Sequence, residues 1–326
     1  MTSVGRRAGR GQLAVAELVD RAKGGDPRAV ARLISLVEDA SPLLRQVAEA
    51  LAPSAGRASV LGLTGPPGVG KSTLTSALIA AFRQQDKRVG VLAIDPSSPF
   101  SGGALLGDRI RMQSHTTDPS VFIRSMATRG ALGGLALATP QAVRVLDAAG
   151  CDVILIETVG VGQSEVDIVS LADTTLVLLA PGMGDGIQAA KAGILEVADV
   201  FVVNKADRDG AESTARDLRN VISLGRRENA GTHSWRPPVV CTVASTAAGM
   251  DDLLAALSAH QDWLSAHGGL TVRRARRARE EIEAIAARDL RARLDPDLLD
   301  RLATEVAAGG LDPYAAAERW CAHRSP

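Results

Sequence analysis

The chain has 326 residues, of which 46% are hydrophobic, and its 37 basic and 37 acidic residues give a formal net charge of zero. This length accommodates one large α/β domain with appendages or two domains, and the even charge excludes a global field that would attract nucleic acid or an acidic membrane. No apolar run approaches the roughly 18 residues that span a bilayer, and the first residues lack the apolar core of a secretory signal. We therefore expect a cytoplasmic protein with no nucleic-acid or membrane partner.

Three amphipathic helices are predicted near the start of the chain. The first covers about residues 12–22, and the next two begin at the capping pairs Asp26-Pro27 and Ser41-Pro42. They contain no catalytic grouping. We therefore expect residues 1–56 to form a helical extension packed on the next domain.

Strands and helices alternate from residue 57 to 267, which is typical of an α/β fold with a mostly parallel sheet and helices on both faces. Several predicted strands are continuously apolar, as strands covered on both faces should be. The predicted strands are 59–64, 88–94, 121–125, 152–156, 174–180, 199–203 and 239–243. Ligands of such sheets bind beyond the carboxyl ends of the strands, and Asp95, Glu157 and Asn204 fall at those ends.

A complete phosphate-binding loop follows the first predicted strand. Its pattern, G-x-x-x-x-G-K-S, allows backbone N–H groups to surround phosphate oxygens, because glycines permit the tight turn and the close approach. The predicted nucleotide-binding residues here are Gly65, Pro66, Pro67, Gly68, Val69, Gly70, Lys71, Ser72 and Thr73. Lys71 supplies a charge to the outer phosphates, and the Ser72 hydroxyl can reach Mg²⁺ at the start of the next helix.

The tetrapeptide N-K-x-D after the strand 199–203 predicts a reader of guanine. Asp207 can accept from both N1–H and the exocyclic amine of guanine, Lys205 can lie along the ring face, and Asn204 can join the base to the phosphate loop. Adenine offers neither donor, so the expected nucleotide is GTP or GDP.

Acids and glycines between these two motifs predict the groups that sense the γ-phosphate. Glu157 ends an apolar strand where a metal-binding acid is expected, and the Gly160 N–H is placed to contact the γ-phosphate. The Pro-, Gly- and Ser-rich segment 95–109 has an acid at either end, Asp95 and Asp108, and is predicted to be a switch loop.

A second glycine-rich loop, residues 182–191, carries one cation, Lys191. Helices are predicted again at about 271–294, 296–308 and 313–322, within a C-terminal helical extension, residues 268–326. The first of these helices contains five arginines, at 273, 274, 276, 277 and 279. Because acids follow and no aromatics are interleaved, we interpret this segment as a solvated or subunit-facing helix rather than a nucleic-acid site.

The chain resembles the methylmalonyl-CoA mutase-associated GTPase family, of the MeaB and ArgK type, over roughly residues 30–320. The resemblance is carried by six motifs: GPPGVGKS at 65–72, DPSSPFSGGALLGDR at 95–109, FIRSMATRG at 122–130, ETVGVGQSE at 157–165, GDGIQAAKAGILE at 184–196 and NKAD at 204–207. It implies a homodimeric phosphate-loop GTPase, with the extension 268–326 as its dimerisation region. Such a GTPase gates cofactor loading and protection of an adenosylcobalamin-dependent acyl-CoA mutase, with a further contact to an adenosyltransferase.

The family likeness also implies roles for individual residues. Ser72, Asp95, Asp108 and Glu157 would form the Mg²⁺ environment, and the catalytic set would be Lys71, Glu157, Asp108 and Lys191, the last in a switch that responds to the mutase. The chain departs from the family pattern at Val243, where relatives usually carry serine before the Ala244 N–H that meets guanine O6, and the loss of that hydroxyl implies a lower affinity for the nucleotide.

Two other functions stay open on the sequence alone. A nickel metallochaperone GTPase would have a similar core but needs Cys or His ligands near the switches. A transport-associated kinase or ATPase would bind ATP, which N-K-x-D disfavours. The dispersed Cys151, Cys241 and Cys321 lack C-x-x-C spacing, which argues against a zinc site or a disulfide framework.

Overall fold

The computed structural model describes residues 10–95, 115, 117–127, 134–158, 170–182, 198–228 and 235–322. Within these ranges a sheet of seven parallel strands lies between helices, so the predicted α/β fold is confirmed. None of the described helices is long and apolar enough to cross a membrane.

The sheet has the strand order β3-β2-β4-β1-β5-β6-β7. Its strands are β1 Ser59–Thr64, β2 Val89–Asp95, β3 Val121–Ala127, β4 Val153–Thr158, β5 Thr174–Leu179, β6 Val200–Asn204 and β7 Val239–Thr242. All seven were predicted, but several ends differ by one or two residues. Asp95, Glu157 and Asn204 belong to their strands rather than following them, because the parallel ladders continue through the polar residues.

The described residues form ten α-helices, of which the third begins at Leu44 rather than at the predicted capping pair Ser41-Pro42 and has no side-chain cap. They are α1 Arg10–Lys23, α2 Pro27–Glu38, α3 Leu44–Leu51, α4 Lys71–Gln84, α5 Gly134–Ala148, α6 Ala211–Glu228, α7 Met250–Ala266, α8 Gly269–Arg291, α9 Pro296–Ala307 and α10 Pro313–Ala322. The carboxylate of Asp26 accepts from the Arg28 and Ala29 N–H groups, and Asp295 does the same at the start of α9.

Apolar side chains divide between the two faces of the sheet. Val60 of β1 packs in a cluster with the N-terminal helices and α5, whereas its neighbour Leu61 packs in a cluster with α4 and α7. Successive strand residues point to opposite faces of the sheet. An unbroken apolar run therefore contributes side chains to both clusters. On α2, Val30, Leu33 and Ile34 are buried in the first cluster, and Val37 is also buried.

The chain divides into two compact units, Met1–Arg277 and Ala278–Pro326. The first contains the sheet and the N-terminal helices. In the second, the Trp320 indole N–H donates to the carbonyl of Asp295 at 2.8 Å, which joins α10 to the start of α9. The three-part division at residues 56 and 267 stays a prediction.

Three arginines of α8 bind two aspartates at the edge of the sheet where strands begin, which corrects their interpretation as solvated or subunit-facing. Arg273 forms a bidentate pair with Asp199, with N···O distances of 2.6 and 2.7 Å. Arg274 and Arg277 each contact a different oxygen of Asp173, at 2.8 and 2.9 Å. Sequence pattern could not assign these partners, because the aspartates lie between 74 and 104 positions away along the chain.

Asp199 is held as a charged carboxylate in a buried position. Burial by itself would raise the pKa of this carboxyl, but the nearby His260 and Arg273 outweigh it and hold the pKa below the ordinary 3.8. The Nε2 atom of His260 lies 3.2 Å from Asp199 Oδ1. The Thr175 N–H also donates to this carboxylate at 2.8 Å.

We expect Asp199→Asn to lower the free energy of unfolding at pH 7 by about 3 kcal/mol, because Arg273 loses its compensating charge. That figure is at the low end for buried pairs, since the Arg273 side chain is 29% exposed.

The folded-state pKa of Asp199 lies below its unfolded value. Its stabilisation is therefore present above about pH 4 and is lost as the pH falls through the folded-state pKa. Urea unfolding of wild type and variant at pH 7 and in acid measures both effects.

Asp262→Asn, an exposed carboxylate on α7, is the matched control and should leave the urea midpoint unchanged. An Asp199→Asn protein that unfolds at the wild-type urea concentration at pH 7 would mean that this ion-pair cluster does not stabilise the fold.

Candidate functional site

The phosphate loop joins the end of β1 to the start of α4 through backbone conformations that only glycine adopts readily. Gly65 has a φ of +143°, and a Cβ there would lie 2.3 Å from the carbonyl oxygen of Leu178. Gly70 has a φ of +95°, and a Cβ there would lie 2.5 Å from the Asn204 side-chain nitrogen. The loop is therefore closely packed between β5 and the residue that ends β6, and side chains at these two positions would force it open.

Lys71 is the first residue of α4, and its side chain turns back over the loop. The residue is only 7% exposed, and its ammonium donates to the carbonyls of Gly65 at 2.5 Å and Pro66 at 3.1 Å. The charge is thus held inside the curve of the loop, next to the N-terminus of α4. Both features favour an anion at this position.

Glu157 accepts hydrogen bonds from two hydroxyls of α4. Ser72 Oγ lies 2.6 Å from one carboxylate oxygen, and Thr75 Oγ1 lies 2.8 Å from the other. All three residues are buried. The arrangement brings the predicted metal residues Ser72 and Glu157 together from positions 85 residues apart.

The base-reading segment is joined directly to the phosphate loop. The Asn204 side-chain amide donates to the Val69 carbonyl at 2.8 Å, and the Lys205 ammonium donates to the Gly68 carbonyl at 2.6 Å. Lys205 has a φ of +58°, a left-handed conformation that turns the chain out of β6.

The oxygen of the same Asn204 side chain is held by the end of β7. It accepts from the Thr242 hydroxyl at 3.2 Å and from the Ala244 N–H at 3.1 Å. The Ala244 N–H, which was predicted to donate to guanine O6, therefore donates to the Asn204 side chain of the base reader in this structure. Val243 pairs with Ala248 in an isolated antiparallel bridge, which closes the turn that carries Ala244.

Asp207 is exposed on the turn after β6. Its carboxylate is therefore open to a ligand, and the penalty for leaving it unpaired applies once a base covers it. Pro67 and Gly68 are also exposed, on the loop whose carbonyls bind Lys71 and Lys205. Thr73, in the first turn of α4, is exposed as well.

Several predicted site residues lie outside the described residues: Asp108, Gly160 and Lys191, together with the side chain of Asp95. The backbone of Asp95 ends β2, two strands from β1 in the sheet order. The roles of all four residues stay predictions.

Arg124, which lies within the motif at 122–130, binds two side chains of α2. Its guanidinium donates to Ser35 Oγ at 3.1 Å and also pairs with the Glu38 carboxylate. Two threonines that sequence reasoning missed do belong to the site, Thr75 and Thr242. A usable signal existed for Thr75, which lies three residues after Ser72 and therefore on the same side of α4.

A phosphate loop interlocked with an N-K-x-D base reader, at the carboxyl edge of a parallel sheet, defines a phosphate-loop GTPase. The chain belongs to the methylmalonyl-CoA mutase-associated GTPase family, MeaB, whose model matches residues 30–297. This bears out the resemblance inferred from the sequence motifs.

Individual relatives agree with this assignment. A Pyrococcus abyssi protein named as a candidate GTPase is 49% identical over 93% of this chain and 94% of its own length. A mouse mitochondrial protein named methylmalonic aciduria type A homolog is 38% identical over 66% of this chain and 52% of its own. Among solved structures, that of a protein named LAO/AO transport system kinase superposes with a TM-score of 0.67, at 25% identity, over 98% of both chains.

Proposed function

We propose that the protein binds GTP and GDP specifically and hydrolyses GTP in a Mg²⁺-dependent reaction that is slow without a partner. The observation that carries this proposal is the 2.8 Å contact from Asn204 to Val69, which joins the guanine reader to the phosphate loop. This hydrogen bond holds the two segments next to each other, so that one nucleotide can bind with its base at the first and its phosphates at the second. Titration calorimetry with GTP, GDP and ATP tests the proposal, and equal binding of ATP and GTP would contradict it.

The donor set at the head of α4 fits Mg²⁺. Ser72 and Glu157 present buried oxygen atoms 2.6 Å apart, and Mg²⁺ prefers hydroxyl, carboxylate and water oxygens. We assign Ser72 and Glu157, with Asp95 and Asp108, as the residues that would hold the ion. When bound, it would neutralise charge that develops on the phosphates during transfer. Lys71 supplies a fixed charge beside it.

We further propose that this GTPase acts on an adenosylcobalamin-dependent acyl-CoA mutase, gating the loading and protection of its cofactor. The family name and the mouse relative's name support this client. We assign Lys191 and its loop as the segment that responds to the mutase. A homodimer and a contact with an adenosyltransferase complete the proposal and follow from the family likeness alone.

A transport-associated kinase is the second candidate, and it is favoured by the superposition on the solved protein named as a transport system kinase. That function needs an ATP site. The N-K-x-D segment opposes it, because at the positions where Asp207 would bind guanine N1–H and the 2-amino group adenine presents an N1 acceptor and no amine. Phosphoryl transfer from ATP to a protein, in the absence of GTP binding, would decide for the kinase.

GTP turnover should rise roughly tenfold or more when the cognate mutase is added, because incomplete GTPase sites depend on a partner to order their loops. Lys191→Ala should lose most of that rise. Phosphate release is measured across a mutase titration, with complex formation followed in parallel by size-exclusion chromatography.

Lys23→Ala is the matched control, since Lys23 is an exposed lysine at the end of α1 and lies outside every predicted loop. It should keep the full stimulation. Unchanged turnover across a titration that forms the complex would refute the gating proposal and leave the GTPase assignment standing.

A further inference from the structure

The buried hydroxyl of Thr75 is a feature of the site that neither the phosphate-loop pattern nor the base reader accounts for. Thr75 is fully buried on α4, three residues after Ser72, so the two hydroxyls lie on the same side of the helix. Both face the end of β4. There each contacts a different oxygen of the Glu157 carboxylate, Thr75 at 2.8 Å and Ser72 at 2.6 Å.

Two contacts on two oxygens determine the plane of the carboxylate. The last torsion of a glutamate side chain is broad and nearly two-fold, so one hydrogen bond leaves the group free to rotate about its own axis. A second donor on the other oxygen removes that freedom. We propose that Thr75 is the positioning residue that orients Glu157 toward the Mg²⁺ site, an inference that rests on the proposed Mg²⁺-dependent GTPase function.

The Thr75 hydroxyl has one proton and two acceptors within reach. Besides the Glu157 oxygen at 2.8 Å, it lies 3.0 Å from the carbonyl of Lys71, one turn earlier on the helix. A hydrogen bond to an ionised acceptor is shorter and stronger than one to a neutral carbonyl. The proton is therefore donated to Glu157, and the contact with Lys71 becomes the alternative when the carboxylate is removed.

This arrangement leaves Ser72 able to serve a metal without releasing Glu157. A hydroxyl that donates its proton to a carboxylate still has oxygen lone pairs for a cation. The carboxylate must keep its present plane for both contacts to hold, and Thr75 donates to its second oxygen. Thr75 does not itself need to touch Mg²⁺ or the nucleotide.

The test compares GDP binding with and without Mg²⁺, which does not depend on hydrolysis. The dissociation constant of GDP is measured by calorimetry in excess EDTA and in saturating Mg²⁺. The value in EDTA divided by the value in Mg²⁺ reports how much the metal strengthens GDP binding. Thr75→Val should reduce this ratio about tenfold, which is the effect on binding expected from the loss of one hydrogen bond to a charged group. The value in EDTA should stay within about twofold of wild type, since the described contacts of the Thr75 hydroxyl go to Glu157 and to the Lys71 backbone carbonyl, not to the base-reading residues 204–207.

Conservative and control variants separate positioning from packing. Thr75→Ser retains the hydroxyl and should restore the wild-type ratio, and Thr75→Cys, a weak donor of similar size, should fall between serine and valine. Thr139→Val is the matched control, because Thr139 is a fully buried helical threonine whose hydroxyl makes no hydrogen bond within the described part of the chain. It should leave the ratio unchanged.

The outcomes distinguish this inference from the proposed function. A wild-type ratio retained by both Thr75→Val and Thr75→Cys would overturn the role of Thr75 while the GTPase assignment stands. A wild-type protein that binds no GDP in either buffer would overturn the proposed function itself.

Discussion

Replacing Asp207 with asparagine should weaken GTP binding by roughly 10² to 10⁴-fold and make xanthosine triphosphate the preferred nucleotide. The carboxylate would accept two hydrogen bonds from guanine, and each bond to a charged group contributes on the order of 1.5–3 kcal/mol. An amide keeps one acceptor for N1–H and offers a donor to the C2 oxygen of xanthine. The change therefore reverses the preference rather than merely reducing affinity.

The position of Asp207 separates an effect on base recognition from an effect on folding. Asp207 is exposed on the turn after β6, so the substitution should leave the thermal midpoint of the unliganded protein unchanged. Asp209→Asn, an exposed carboxylate two residues later, is the matched control and should keep the preference for GTP. If Asp207→Asn binds GTP and xanthosine triphosphate as the wild type does, the base-reader assignment is wrong. Calorimetric competition between the two nucleotides supplies the measurement.

Lys71→Ala should abolish measurable nucleotide binding, whereas Glu157→Ala should retain GDP binding and lose most GTP hydrolysis. Lys71 lies inside the loop, and its loss removes the charge that faces the phosphates and leaves the Gly65 and Pro66 carbonyls without their donor. Glu157 contacts Ser72 and Thr75, not the loop carbonyls. Its contribution, like that of Asp108, should grow as charge develops on the γ-phosphate.

The two losses are measured separately, by GDP calorimetry and by single-turnover phosphate release. Lys87→Ala, at an exposed lysine beyond the end of α4, controls for removal of a positive charge and should change neither quantity. Wild-type hydrolysis by Glu157→Ala would remove Glu157 from the catalytic set, and wild-type GDP affinity in Lys71→Ala would remove Lys71 from the phosphate site.

Local chemistry made the helix starts and the phosphate loop predictable. Asp26 and Asp295 each precede a proline and cap the helix that follows, and both signals depend only on neighbouring residues. The glycines of the loop are similarly local, since their positive φ angles are required by the turn itself. The strand ends were less accurate, because the ladder of β4 extends through Glu157 while the apolar pattern stops at Ile156.

Contacts between distant segments were not predictable in the same way. The charge pattern of α8 indicated a solvated helix, yet Arg273, Arg274 and Arg277 bind Asp173 and Asp199. A run of arginines looks the same in sequence whether its partners are water, another subunit or buried aspartates. The pairing of Arg124 with Glu38 is equally invisible to local pattern, since it joins β3 to α2 across 86 positions of the chain.

The sequence by itself determined the class of fold, the phosphate loop and the base-reading segment, because each is encoded by residues close together in the chain whose chemistry needs that spacing. Only the tertiary structure decided how these segments join. The contacts of Asn204 with Val69 and of Thr75 with Glu157 link residues 135 and 82 positions apart. Such pairs arise where parallel strands bring their carboxyl ends to one edge of the sheet, and the order of those strands is set by packing of the whole domain.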